Sequence, residues 1–215
     1  MSSDQMDLSG EQQKKELVEC IHFLHARGWA PATSSNYSFR SGILPGQISI
    51  SSSGIDKGNF VLADLMIVDL NGQPVNDERK PSAETLLHTL IYQKRAEVNC
   101  VLHTHTVYNT ILSRKFLKTG KLILEGYEML KGFHDIHTHE SSIEIPIFEN
   151  SQDMLFLAEH IQQYWARHPE MRVFLLAGHG MYTWGRSIAE AKRHVEVVEF
   201  LLECYYREKF GMGDG

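Results

Sequence analysis

Apolar positions change their period several times along this chain, and each change marks an element. Leu17, Ile21 and Leu24 recur at helical spacing, Ser9 with Gln12 forms a capping box, and Gly28 closes the segment, so the pattern predicts a helix over 11–27. Residues 1–9 are polar and expected to be flexible. The small-residue run APATSSNYSFRSG reads as a turn entering a short strand. Gln47–Ser51 and 65–70 read as strands, the latter followed by the hairpin signal Asn71-Gly72. Ser82 is placed to cap a helix over 83–95, and the apolar run 99–105 reads as a buried strand. A strand is expected over 143–149, with Pro146 pointing to an edge or the end of pairing. A helix follows Ser151 and stops before Pro169, and 172–185 reads as two strands around Gly178-His179-Gly180. Ser187 with Glu190 caps a last helix whose apolar face carries Ile188, Ala191, Val195, Val198 and Leu202. Strands and helices mix, with hairpins among them, which predicts an α/β fold whose sheet is mixed or antiparallel with helices on its faces. No repeat or linker divides the 215 residues, so a single domain over 1–215 is expected.

Composition narrows the functional classes. Hydrophobic content of 42% with 22% charged residues describes a globular chain. No apolar run approaches a membrane span, so no membrane association is expected. Cys20, Cys100 and Cys204 are odd in number and lack metal or disulfide spacing, which points to a reducing, cytoplasmic location. A net charge of −6 argues against nucleic acid as a partner but leaves room for a local phosphate pocket. Twelve histidines direct the search for chemistry.

His103-Thr104-His105 is the sharpest local signal: on a strand, residues i and i+2 share a side, and neutral imidazole suits zinc-like metals. Two ligands do not make a site, and an isolated pair of this kind is more often incidental. A rival pair, His137 and His139 near His134, lies in the polar stretch KGFHDIHTHESS and reads as a solvated loop or lid. His179, between two glycines, serves equally well as turn residue or ligand. Glu84 falls in the first turn of its helix with His88 one turn on, where dipole complementarity is the simplest explanation. Glu128, between Tyr127 and Met129, suits an acid/base of raised pKa or a surface partner of Lys131. The segments 33–36 and 51–54 are rich in hydroxyls and free N–H groups; each is a plain turn or an anion nest.

Taken in order, TSSNYS, SSSG, PSAE, HTH and HGMYTWG resemble the class II aldolase family across nearly the whole chain. The resemblance implies a three-layer α/β/α fold with a central, mostly antiparallel sheet, and a homotetramer. It also implies one zinc per subunit held by His103, His105 and His179, and a phosphate gripped by Asn36, Ser53, Gly54 and Ser82. TSS stands where the family has a glycine-rich turn, and Ala83 where a second serine is common. EGYEMLKG, IPIFEN and GHGMYTWG most resemble a dehydratase branch that acts on a phosphorylated keto-sugar in methionine salvage. That resemblance makes Glu128 the catalytic acid/base, with Glu84 catalytic or supporting. The alternatives are a class II sugar-phosphate aldolase or 4-epimerase relying on Glu84, and a non-catalytic interaction module.

Overall fold

The computed structural model describes residues 3–40 and 46–211, the side chains from residue 10 onward in the first helix. Helix α1 spans Ser3–Ala26, so it begins well before residue 11 and Ser9 lies inside it, not at its start. Its C-terminal end is as expected: Gly28 takes a left-handed φ of 74°, and Trp29 N–H donates to the Leu24 carbonyl.

Eight strands form one sheet: β1 Asn36–Arg40, β2 Gln47–Ser51, β3 Leu65–Asp69, β4 Cys100–Thr104, β5 Lys121–Glu125, β6 Ser142–Phe148, β7 Val173–Leu176 and β8 Met181–Gly185. Their order is β3-β2-β1-β4-β8-β7-β6-β5, antiparallel throughout except for β6 beside β7. Period-two alternation feeds two cores. Tyr37, Phe39, Cys100, Leu102, Val173 and Leu175 point to the face covered by α1, α3 (Val107–Lys115) and α5 (Ile188–Phe210). Ile48, Ile50, Val101, Phe174, Leu176 and Tyr182 point to the face covered by α2 (Thr85–Lys94) and α4 (Met154–Arg167). The fold is therefore the expected α/β/α sandwich.

Several local expectations need adjustment. Helix α2 starts at Thr85, with Glu84 at its N-cap, because 82–85 first form a turn in which Thr85 N–H donates to the Ser82 carbonyl. Ser82 is thus not the cap, although its hydroxyl accepts from Glu84 N–H at 3.3 Å. β6 is not an edge strand. Pro146, which lacks an N–H, pairs with Lys121 as the last step of the β5 ladder, and the β7 ladder begins at Ile147. The return arm after Asn71-Gly72 is reduced to one bridge between Val68 and Pro74. No helix of the described residues is long and apolar enough to cross a membrane.

Candidate metal centre

β4, the strand joining the two halves of the sheet, ends at the histidine pair. His103 lies in the ladder opposite Tyr182, fully buried and stacked on that ring at 4.1 Å. Its Nδ1 is 3.0 Å from the Met181 carbonyl, which can only accept, so Nδ1 carries the proton and Nε2 presents a lone pair. His105 sits one residue beyond the strand, on the same side, its N–H donating to the Trp29 carbonyl. His179 arrives from the β7–β8 turn, where Gly178 has φ 67° and His179 N–H donates to the Leu176 carbonyl. His179 Nδ1 donates to Asn150 Oδ1 at 3.2 Å, which turns Nε2 inward.

The three rings form a triangle with centroids 4.6, 4.7 and 5.1 Å apart, and one nitrogen of each lies within 4.8 Å of the others. Among the described residues this is the one group of its kind. His105 Nε2 and His103 Nε2 stand 2.7 Å apart. At that distance the two nitrogens share one proton, and burial drives both rings toward the neutral form, holding His103 well below the ordinary imidazole value and His105 at about 4. A cation would take the place of the proton shared there, and three imidazole nitrogens converging on one point are the donor set of a catalytic zinc. The residues present therefore fit a metal.

Glu84 completes the cluster, with Oε1 2.8 Å from His179 Nε2 and Oε2 3.9 Å from His103 Nε2. Burial opposes its ionisation, but with a proton on His179 Nε2 the hydrogen bond from that ring, the neighbouring His103 and Asn36 outweigh burial and keep it well below the usual carboxylate range; a metal on that nitrogen would take the proton's place beside the carboxylate. Its orientation comes from a zipper between α2 and β1. Glu84, His88 and Tyr92 recur every four residues, about 6 Å along a helix; Asn36 and Ser38 recur every two, about 6.6 Å along a strand. The matched rises let them interleave. Tyr92 OH donates to Ser38 Oγ (2.9 Å), Ser38 to His88 Nδ1 (2.8 Å), His88 Nε2–H to Asn36 Oδ1 (2.5 Å), and Asn36 Nδ2–H to Glu84. Every donor points the same way, toward the carboxylate. Sequence reading placed His88 beside Glu84 but missed Ser38, Tyr92 and Asn150, whose partners lie far away in the chain.

Next to the histidines is a cavity of about 100 Å³ lined by Thr33, Ser34, Ser35, Asn36, Ser52, Ser53, Ser82, Glu84 and His105. Both hydroxyl-rich segments and Ser82 thus meet at one place, with Gly54 (φ 76°) directly after Ser53. Ser35, the last residue of the TSS turn, has φ 72°, a conformation that costs a non-glycine residue about 1–2 kcal/mol. Its buried hydroxyl has no partner, a donor left over at the cavity. Arg79, unremarked in the sequence, donates to Ser52 Oγ at 3.1 Å.

Glu128 is elsewhere. β6 reaches the histidine end of the sheet at Phe148, whereas β5 leaves the sheet at Glu125, opposite Ser142, six residues or about 20 Å away along the strand. From there a 3-10 turn, Glu128–Gly132, carries Glu128 at 68% side-chain exposure, 2.5 Å from Lys131 Nζ. The Lys131 hydrogen bond lowers its pKa, the reverse of a desolvated acid. His134 and His139 are exposed too, and His139 pairs loosely with Glu128 at 3.8 Å.

A mostly antiparallel sheet sandwiched by helices, with three imidazoles grouped at the ends of its central strands, places the chain in the class of α/β/α proteins built on a class II aldolase fold. The chain belongs to the class II aldolase and adducin N-terminal domain family, whose model matches residues 15–206. It is 50% identical over 190 residues (88% of this chain, 90% of the relative) to a methylthioribulose-1-phosphate dehydratase of Marinobacter nauticus. It is 47% identical over 201 residues (94% and 96%) to that of Methylococcus capsulatus. Among solved structures, the L-fuculose-1-phosphate aldolase of Thermus thermophilus shares the fold with a TM-score of 0.74 at 22% identity, covering 95% of this chain and 99% of that one.

Proposed function

We propose that the chain is a zinc-dependent dehydratase converting 5-methylthioribulose-1-phosphate to the 2,3-diketo-5-methylthiopentyl-1-phosphate, as a step of methionine salvage in the cytoplasm. The observation that carries this reading is the meeting of three imidazole nitrogens with a hydroxyl-lined cavity at one sheet end. The names of the relatives support the substrate. His103, His105 and His179 hold the metal, and Ser53, Gly54, Ser82 and the unpartnered Ser35 receive the phosphate, with Asn36 steering Glu84 at its rim. Bound zinc supplies Lewis acidity that makes the C3 hydrogen beside the C2 carbonyl more acidic.

The Glu128 carboxylate takes the C3 proton, the C3–H electrons form the C3–C4 double bond, and the C4 hydroxyl leaves as water with a proton from the same carboxyl. The resulting enol tautomerises to the diketone. In this reading Glu128 acts on the site of a neighbouring subunit of a homotetramer, and its exposed position at the far end of the sheet from the histidines supports that arrangement. Glu84, ionised beside the ligand nitrogens, supports the centre. The aldolase or epimerase reading is favoured by one observation: Glu84, its acid/base, is the carboxylate placed at the histidines within the chain.

Incubating the zinc-loaded protein with methylthioribulose-1-phosphate should yield the diketone, and fuculose- or rhamnulose-type phosphates should remain uncleaved. Glu128→Gln should keep its zinc and lose about 10²–10⁴ in turnover, the usual worth of a positioned acid/base. Subunits carrying Glu128→Gln mixed and reassembled with inactive His103→Ala subunits should regain part of the activity. Cleavage of the sugar phosphates into two fragments, or a Glu128→Gln enzyme of normal rate, would remove the dehydratase assignment. Failure of mixed subunits to recover activity would remove the cross-subunit placement alone.

A further inference from the structure

Glu199 lies near the middle of α5, 3% exposed, and among the described residues no cation stands within ion-pair distance of it. Burial raises its pKa to about 7, against the pull of its two hydrogen bonds. A carboxyl group removed from water without a counter-ion is costly, so the partners it does have define its use. They are Thr106 Oγ1, donating at 2.7 Å, and Asn109 Nδ2, donating at 3.2 Å. Thr106 is the N-cap of α3 and forms a reciprocal box with Asn109: Asn109 N–H donates to Thr106 Oγ1 at 3.3 Å, and Thr106 N–H to Asn109 Oδ1 at 3.2 Å. Asn109 Nδ2 also lies 3.4 Å from the Thr104 carbonyl. The network therefore grips residues 104 and 106, the two neighbours of His105.

His105 needs that grip more than the other ligands do. His103 is fixed by the β4 ladder and by Met181, and His179 by Asn150 and the tight β7–β8 turn. His105 has left the strand, and its own backbone is held only through the bond to Trp29 and through its two neighbours. We propose that Glu199 is a positioning residue for the metal centre, fixing His105 through Thr106 and Asn109 from the helix behind it. The inference rests on the metal reading given under Proposed function, and it concerns a residue that touches neither the metal ligands nor the cavity.

The test measures zinc affinity by competition with a chelator, together with the visible spectrum of the cobalt-substituted protein. Glu199→Met fills the space but accepts no hydrogen bonds. It should weaken zinc binding about 10–100-fold, as loss of a group orienting a ligand typically does, and should alter the cobalt bands. Glu199→Gln should stay within a few-fold of the parent: its oxygen accepts from Asn109, and its amide donates to the Thr106 hydroxyl, which can accept. Leu202→Ala, a buried apolar residue of the same helix that makes none of the network's hydrogen bonds, controls for lost stability and should leave affinity unchanged. Thr106→Val cuts the same link from the other end and decides the matter should Glu199→Met fail to fold. Parental affinity in Glu199→Met or Thr106→Val, or an equal loss in Leu202→Ala, overturns the proposal while leaving the metal reading intact. A parent that binds no zinc overturns both.

Discussion

Gly180 has no room for a side chain, because the backbone of β4 and the histidine rings occupy the place a side chain would take. A Cβ there would collide with the Thr104 carbonyl oxygen and come within 2.6 Å of His103 Cε1 and 3.2 Å of His105 Cδ2. The Thr104 carbonyl belongs to a central strand and cannot retreat, so the rings must move. Gly180→Ala should lower stability by about 1–3 kcal/mol, the usual cost of overpacking, and reduce zinc content far more than that loss alone explains; thermal melts alongside metal analysis would reveal it, and full zinc occupancy would contradict it. Glu84→Gln keeps the shape of the group beside His179 and removes its charge. Zinc affinity should fall about 10–100-fold, while turnover at saturating zinc stays well above that of Glu128→Gln, a split read from titration and steady-state rates. Single residues were legible in the sequence where their neighbours in the chain decide their fate, as for His103 and His105. Glu128 was legible as a carboxylate of interest, but its place was not, since that depends on β5 running antiparallel to β6.

Between elements, helix α2 and strand β1 share a buried polar seam in which Glu84, His88 and Tyr92 alternate with Asn36 and Ser38. Burial drives the pKa of His88 down to about 3, below its ordinary value of 6.5. The unfolded chain therefore binds a proton there over a range in which the folded chain does not. The His88 contribution to stability is complete above about pH 6.5 and shrinks as the pH falls toward 3. The stability advantage of the parent over His88→Gln, measured by denaturant titration of the metal-free proteins, should narrow from pH 7 to pH 4; a constant gap would contradict this. Elements with an apolar stripe, such as α4 and α5, could be read directly. Helix α3 could not, since its buried residues are Asn109, Leu112 and Ser113, and a polar inner face leaves no periodic signal. Strand β5 was missed for a related reason: it is an edge strand that exposes Ile123, so KLILE shows no clean alternation of apolar and polar residues.

Across the whole molecule, strands β1 to β4 come from residues 36–104 and fill one half of the sheet, and β5 to β8 come from residues 121–185 and fill the other. The halves meet along a single ladder, β4 against β8, and the histidines straddle it, His103 and His105 on one side and His179 on the other. An ion held by all three is thus a rivet across a join between two halves that are otherwise laced together locally. Its removal leaves each half's own pairings untouched and loosens the join, where contacts far apart in sequence must be kept. Chelation should therefore speed amide hydrogen exchange most at 100–104 and 181–185 and leave the β2–β3 and β5–β6 ladders near their metal-loaded rates, so that a chain deprived of its ion would part along its middle and offer that seam to proteases.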